Sequence, residues 1–182
     1  NIKRLMAYSS IGHIGYALAG ISTGTDSGYA STIIYLTIYV VMNMGAFGCI
    51  YLMRKDGNYK EDISDLSGLS KKQPLLSFSF LIIFFSLAGI PPLGGFFAKF
   101  YVFMSVIESE MYALAIIGLV TTVISAFYYI RIVKIIYFDE TKMHFDEIKN
   151  FNITFTVSLS CIILLGFFIF PSMLNSMVQT LF

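Results

Sequence analysis

Long apolar runs separated by short polar connections organise this chain. A membrane-spanning helix needs about 20 mostly apolar residues, and residues 5–21, 29–53, 111–138 and 151–170 each meet that within the usual uncertainty at helix ends. Residues 74–107 are also apolar almost throughout, yet as one unbroken helix they would rise about 50 Å at 1.5 Å per residue. They contain Gly89-Ile90-Pro91-Pro92-Leu93-Gly94-Gly95, where two prolines remove backbone donors and the glycines permit turns. The helix must stop there and restart near Phe96. The segment is either one broken crossing or two helices.

Basic residues decide between these, because Lys and Arg gather on the cytoplasmic side of a membrane, or on the matrix side in a mitochondrion. With one broken crossing, Lys3, Arg4, Arg54, Lys55, Lys60, Lys71, Lys72, Arg131, Lys134, Lys142 and Lys149 fall at one face, which is every Lys and Arg except Lys99. With two crossings the cluster from Arg131 to Lys149 moves across and the asymmetry collapses. The expected fold is therefore all-α and polytopic, a single transmembrane domain over 1–182 with five spans, the third (74–107) broken at 89–95. The N-terminus lies inside and the tail after Pro171 outside. Residues 54–72 read as a solvated connection or short surface helix, and 139–150, with His144, as another loop.

Composition agrees with a bilayer as solvent: 57% of residues are hydrophobic, 13% are charged and mean hydropathy is +0.76, against about 25% charged in soluble domains. A net charge of +1 excludes the clustered basic surface that nucleic acid requires. Cys49 and Cys161 lie in apolar runs without ligand spacing, so no disulfide or metal is expected. Dinucleotide, phosphate-loop, paired-histidine and nucleophile motifs are absent, so no cofactor is expected on this chain. A surplus of Ile, Phe, Tyr, Asn and Lys without Trp fits an AT-rich genome, such as an organelle's.

Lys99 is the informative residue. A lone charge at the bilayer centre costs roughly 2.5–3.5 kcal/mol on insertion scales, and such residues face a protein interior or a hydrated cavity. Irregular backbone at this depth is likewise tolerated only away from lipid, so Lys99 beside Gly89, Pro91, Pro92, Gly94 and Gly95 implies a polar, hydrated pocket. The positive N-terminal end of the restarted half-helix points at the same region, which makes the lysine's protonation switchable and useful for transport. The competing reading is a snorkelling side chain reaching the interface marked by Glu108 and Glu110. His13, with Tyr8, Ser9 and Ser10 nearby, is either a proton relay or a satisfied structural histidine. Asn43 is either an interhelical hydrogen-bonding residue or part of a proton wire. Tyr128 and Tyr129, one turn before Arg131 and Lys134, read as interface anchors, with Tyr128 a further polar-axis candidate. Gly12, Gly15 and Gly20 read as close helix contacts.

Two motifs carry a resemblance. Asn1-Ile2-Lys3-Arg4-Leu5-Met6-Ala7-Tyr8-Ser9-Ser10, followed by His13 and Gly15-Tyr16, resembles the start of a helix in antiporter-like subunits of respiratory complex I. The stretch from Ser86 to Phe103, ending Gly95-Phe96-Phe97-Ala98-Lys99-Phe100-Tyr101, is similar to the subunit N family of NADH-quinone oxidoreductases, called subunit 2 in mitochondria. The resemblance extends over essentially the whole chain. It implies helices ten to fourteen of a fourteen-helix fold, with Lys99 as the central-axis lysine of the broken helix twelve. It further implies proton translocation coupled to quinone reduction, with redox chemistry on other subunits, and partners among the other membrane-arm subunits. Localisation follows as the mitochondrial inner membrane or, alternatively, a bacterial plasma membrane. The first half-channel of that family has no counterpart in these residues, so a separate chain supplying the N-terminal helices is expected. The rivals are a proton-coupled cation antiporter subunit and a purely structural membrane scaffold.

Overall fold

Asn1 opens the first helix by accepting the backbone N–H of Arg4 with its side chain (3.0 Å), so α1 runs Ile2–Ser22, three residues longer at its start than the apolar pattern predicts. The computed structural model describes residues 1–143, 145–146 and 150–169, with side chains to residue 167. His144, Lys149 and the tail from Pro171 lie outside the described residues. Thr25 caps α2 (Asp26–Tyr51) through the Gly28 N–H, and Asp26 sits in its first turn, where the helix dipole favours a carboxylate. Then come α3 (Pro74–Ala88), α4 (Gly94–Glu108), α5 (Tyr112–Phe138) and α6 (Phe151–Ile169).

Of these helices, α2 and α5 are individually long and apolar enough to cross a membrane. They sit differently. Half of the most apolar stretch of α2 is buried, against 11% for α5, because α2 is surrounded by α1, α3, α4 and α6 while α5 lies at the edge, against α3.

The fold is mostly helical, as expected, but the connection after α2, expected as a solvated loop or short surface helix, opens with a small hairpin. Arg54–Lys55 (β1) and Asn58–Tyr59 (β2) pair antiparallel around Asp56-Gly57, both of which have positive φ (52° and 74°). That is the two-residue turn whose twist matches a hairpin, and Asp-Gly favours it. Two 3₁₀ turns, Ile63–Leu66 and Leu69–Lys71, follow.

Hydrogen bonds tie the basic connections together at one end of the bundle. Lys3 pairs with Glu61 at 2.6 Å, Gly68 N–H donates to Ile135 O at 3.0 Å, and the Asp146 carboxylate accepts from the Asp56 and Gly57 N–H groups. At the far end, Ser31 near the start of α2 bonds Ser105 near the end of α4 at 3.1 Å. α3 begins beside the basic cluster, α4 ends at the far end, and α5 returns to the cluster.

The break itself is capped in detail. Pro74 fills the first turn of α3, where a missing N–H is harmless. At the other end Gly89 takes the left-handed conformation (φ 82°), and its N–H reaches Ser86 O (2.9 Å) while Ile90 N–H reaches Phe85 O (3.0 Å). The chain restarts at Gly94, two residues before the expected Phe96.

Candidate functional site

A helix leaves its last four carbonyls without intrahelical partners. In α3, the Schellman-type cap satisfies those of Phe85 and Ser86. The remaining two, on Leu87 and Ala88, are taken by one side chain: Lys99 Nζ donates to Leu87 O at 3.0 Å and to Ala88 O at 3.3 Å. Lys99 leaves α4 one turn after its start, and helical side chains lean toward their own N-terminus. The stem therefore runs back over the break to α3, passing against Gly89, where an added Cβ would stand 3.1 Å from Lys99 Cδ.

The residue is 4% exposed, and it points away from Glu108 and Glu110, which corrects the snorkelling reading. The expected electrostatics also change. The ammonium sits at the negative, carbonyl-bearing end of α3 rather than being governed by the positive start of α4. Its remaining neighbour is aromatic: Nζ lies 5.1 Å from the centroid of the Tyr16 ring, within reach of a cation–π attraction. Among the described residues no carboxylate approaches within ion-pair distance.

The two half-helices are held by a second contact. Gly95 N–H, an orphan donor at the start of α4, reaches Ser86 Oγ at 2.9 Å, and that hydroxyl in turn lies 3.2 Å from Met42 Sδ of α2. Only glycine fits at 95, because a Cβ there would fall on the Ser86 carbonyl.

Beyond Tyr16 the site continues as a buried polar cluster centred on His13. Its Nδ1 shares a hydrogen bond with Tyr35 OH (2.6 Å) and its Nε2 one with Tyr129 OH (3.2 Å), while the ring stacks on Tyr39 with centroids 4.6 Å apart. Tyr129 OH also bonds Ser9 Oγ. The Tyr16 hydroxyl bonds Thr122 (2.9 Å) and Thr121 (3.3 Å) on α5. Between α1 and α5 lies a cavity of about 150 Å³ lined by Ser9, His13, Tyr16, Thr121, Ser125 and Tyr128 among others, room for a few water molecules at about 30 Å³ each. This cavity borders His13 and Tyr16, whose ring centroid lies 5.1 Å from Lys99 Nζ.

Several expected roles shift. Tyr129, read as an interface anchor, is fully buried and is the partner of His13. Tyr128 is half-buried at the cavity wall. Asn43 stands apart from this cluster, with its Oδ1 buried and no hydrogen-bond partner among the described residues. Gly20 does meet Thr32 and Gly28 of α2, whereas Gly12 and Gly15 make no close helix contact among the described residues. Tyr16, Tyr35, Tyr39, Ser86 and the Leu87 and Ala88 carbonyls were not anticipated. The spacing of Ser9, His13 and Tyr16 (i, i+4, i+7) and of Tyr35 and Tyr39 (i, i+4) places each set on one helix face, and that signal was available.

A buried lysine clamped across a broken apolar helix, backed by a histidine–tyrosine cluster, is the architecture of an antiporter-like membrane subunit. Residues 1–125 match the family described as NADH:quinone oxidoreductase/Mrp antiporter, TM, and the chain belongs to that family. It is 55% identical over 179 residues to NADH-quinone oxidoreductase subunit N of Pelagibacter ubique, aligning 98% of this chain and 38% of that protein. The subunit N of Parvibaculum lavamentivorans is 51% identical over 172 residues, 94% of this chain and 36% of the relative. The fold matches a chain of respiratory complex I from Thermus thermophilus with bound NADH (TM-score 0.82, 24% identity, 99% of this chain and 39% of that one). It also matches a chain of the Mrp complex from Dietzia (TM-score 0.64, 29% identity, 70% and 24%). The chain spans just over a third of the length of the subunit N relatives. Those relatives are bacterial, so the mitochondrial expectation gains no support.

Proposed function

We propose that these residues form the outward half of a proton path in the membrane arm of a NADH-quinone oxidoreductase, with Lys99 as the residue that takes up and releases the proton. On this reading α1, α2, the α3–α4 pair, α5 and α6 are five crossings corresponding to helices ten to fourteen of the family, with the basic end facing the cytoplasm. Electron transfer from NADH to quinone occurs on partner subunits, and helices outside these 182 residues supply the rest of the path.

The observation that carries the proposal is the way Lys99 is held. An ammonium has three donors, and two are committed to the Leu87 and Ala88 carbonyls. The third has no acceptor among the described residues. Loss of that proton leaves an amine that still has two N–H groups for the same two carbonyls, so the cap on α3 survives in either protonation state. No carboxylate is stranded when the charge departs. A structural lysine would instead be paired with an anion, since an unpaired buried charge is costly. His13 and its tyrosine and serine partners extend the polar route from the Tyr16 ring toward the cavity between α1 and α5, with Tyr128 on its wall.

The test is Lys99→Ala in the full-length subunit within its assembled complex, measuring NADH-driven acidification of inverted membrane vesicles alongside quinone reduction. The proposal expects depressed proton transport in a complex that still assembles. Undiminished transport with normal assembly overturns it. The antiporter alternative is separated by the same preparation, because a cation antiporter subunit would not copurify with quinone-reducing activity.

A further inference from the structure

Proton transfer needs heavy atoms within about 2.6–3.2 Å of each other, or one bridging water. Lys99 has no such contact with the cavity between α1 and α5, because it is not among the residues that line it. Its Nζ lies instead over the Tyr16 ring, 5.1 Å from the centroid. Tyr16 belongs to both places. It lines the cavity, it is 6% exposed, and it turns toward the ammonium a ring face that carries no exchangeable proton. One aromatic ring thus touches both the proton carrier and the space from which water would reach it.

The ring is held in two ways. Phe103, one turn beyond Lys99 on α4, meets it edge-on with centroids 5.9 Å apart, and His13 does so at 6.1 Å. Its hydroxyl is fastened to another helix, at 2.9 Å from Thr122 Oγ1 and 3.3 Å from Thr121 Oγ1 of α5. Both threonine hydroxyls also reach Gly118 O, at 3.0 and 2.8 Å, so their protons have a carbonyl acceptor and the Tyr16 proton can go to a threonine oxygen. Turning the ring aside therefore breaks bonds to α5 and none to Lys99, which keeps its two α3 carbonyls throughout.

We propose that Tyr16 is the positioning residue that controls access to Lys99: latched to Thr121 and Thr122, its ring separates the ammonium from water in the cavity, and release of the latch joins them. The inference rests on the reading of Lys99 as the proton carrier and adds the point at which its exchange with the cavity is regulated.

The experiment treats the assembled complex, carrying the full-length subunit, with formaldehyde and dimethylamine-borane. Methylation of Lys99 is followed by peptide mass spectrometry, relative to the exposed Lys72. Tyr16→Phe keeps the ring and loses both threonine bonds. It is expected to raise the Lys99 rate about tenfold, equivalent to 1.4 kcal/mol, which two hydrogen bonds can supply. The pair Thr121→Val and Thr122→Val, altering α5 alone, should match it. All three changes together should give no further rise, because they remove the same bonds. Increases that add would indicate general loosening and overturn the latch, as would a wild-type rate in the assembled Tyr16→Phe complex. NADH-driven acidification by Lys99→Ala separates the two readings. Methylation unchanged by the variants, with transport lost in Lys99→Ala, overturns the latch alone. A raised rate in Tyr16→Phe, with normal transport in Lys99→Ala, overturns the proton path and leaves the barrier standing.

Discussion

Lys99 Nζ stands 3.0 Å from the Leu87 carbonyl oxygen, twelve residues back along the chain and on the other side of a helix break. The contact makes one side chain serve two purposes: it closes the end of α3, and it holds a charge where lipid excludes one. Substitutions that keep one purpose and remove the other separate them. Lys99→Arg retains a permanent cation with ample donors for both carbonyls but cannot give up its proton. Assembly near wild type with proton transport lost is the expected result in vesicle acidification assays. Transport retained in Lys99→Arg would show that the fixed charge is what matters.

Gly95 lies where α4 touches α3. Gly95→Ala places a methyl on the Ser86 carbonyl, and relief requires the half-helices to part, which strains the Gly95 N–H to Ser86 Oγ bond. A loss of about 1–3 kcal/mol is expected, the usual range for overpacking, visible as a lowered unfolding midpoint in detergent. Gly12→Ala, whose new Cβ meets nothing within 4 Å, is the matched control and should leave the midpoint unchanged.

Much of this could be read before any coordinates. The Pro-Gly segment marked the break between α3 and α4, because proline and glycine act locally on the backbone. The direction of Lys99 followed from a helical rule too, but its acceptors are backbone carbonyls, which carry no sequence signature. Tyr129 was misread because a tyrosine near Arg131 looks the same whether it anchors an interface or turns inward; only the packing of α5 on α1 decides. The hairpin at residues 54–59 was overlooked although Asp56-Gly57 is a strong turn signal, since its two-residue strands are too short to show alternation.

Tyr129 bridges His13 and Ser9 through one hydroxyl. Tyr129→Phe keeps the ring packed against Phe84 and strips both bonds. Each hydrogen bond is worth about 0.5–1.5 kcal/mol, so a modest fall in stability is expected together with slowed proton transport. Lys99-dependent transport that is fully preserved in Tyr129→Phe and in His13→Phe would confine His13 to a structural role.

Glu61 offers a pH-dependent test away from the membrane interior. Hydrogen bonds from the Lys3 ammonium and the Asn1 side-chain amide hold its carboxyl below the ordinary carboxylate value, which is about 4.3. A depressed value in the folded state means that the carboxylate contributes stability above the unfolded value, and that this contribution fades as pH falls through the folded one. The pairing joins the start of α1 to the loop before the 3₁₀ turns, so it bears on how the basic end closes. Unfolding midpoints measured between about pH 3 and 7 should therefore fall more steeply toward acid in wild type than in Glu61→Gln, the two curves converging at the acid end. Because the pair is exposed, raising the salt concentration should shrink the difference at neutral pH; parallel curves at every pH would exclude a contribution from this carboxylate.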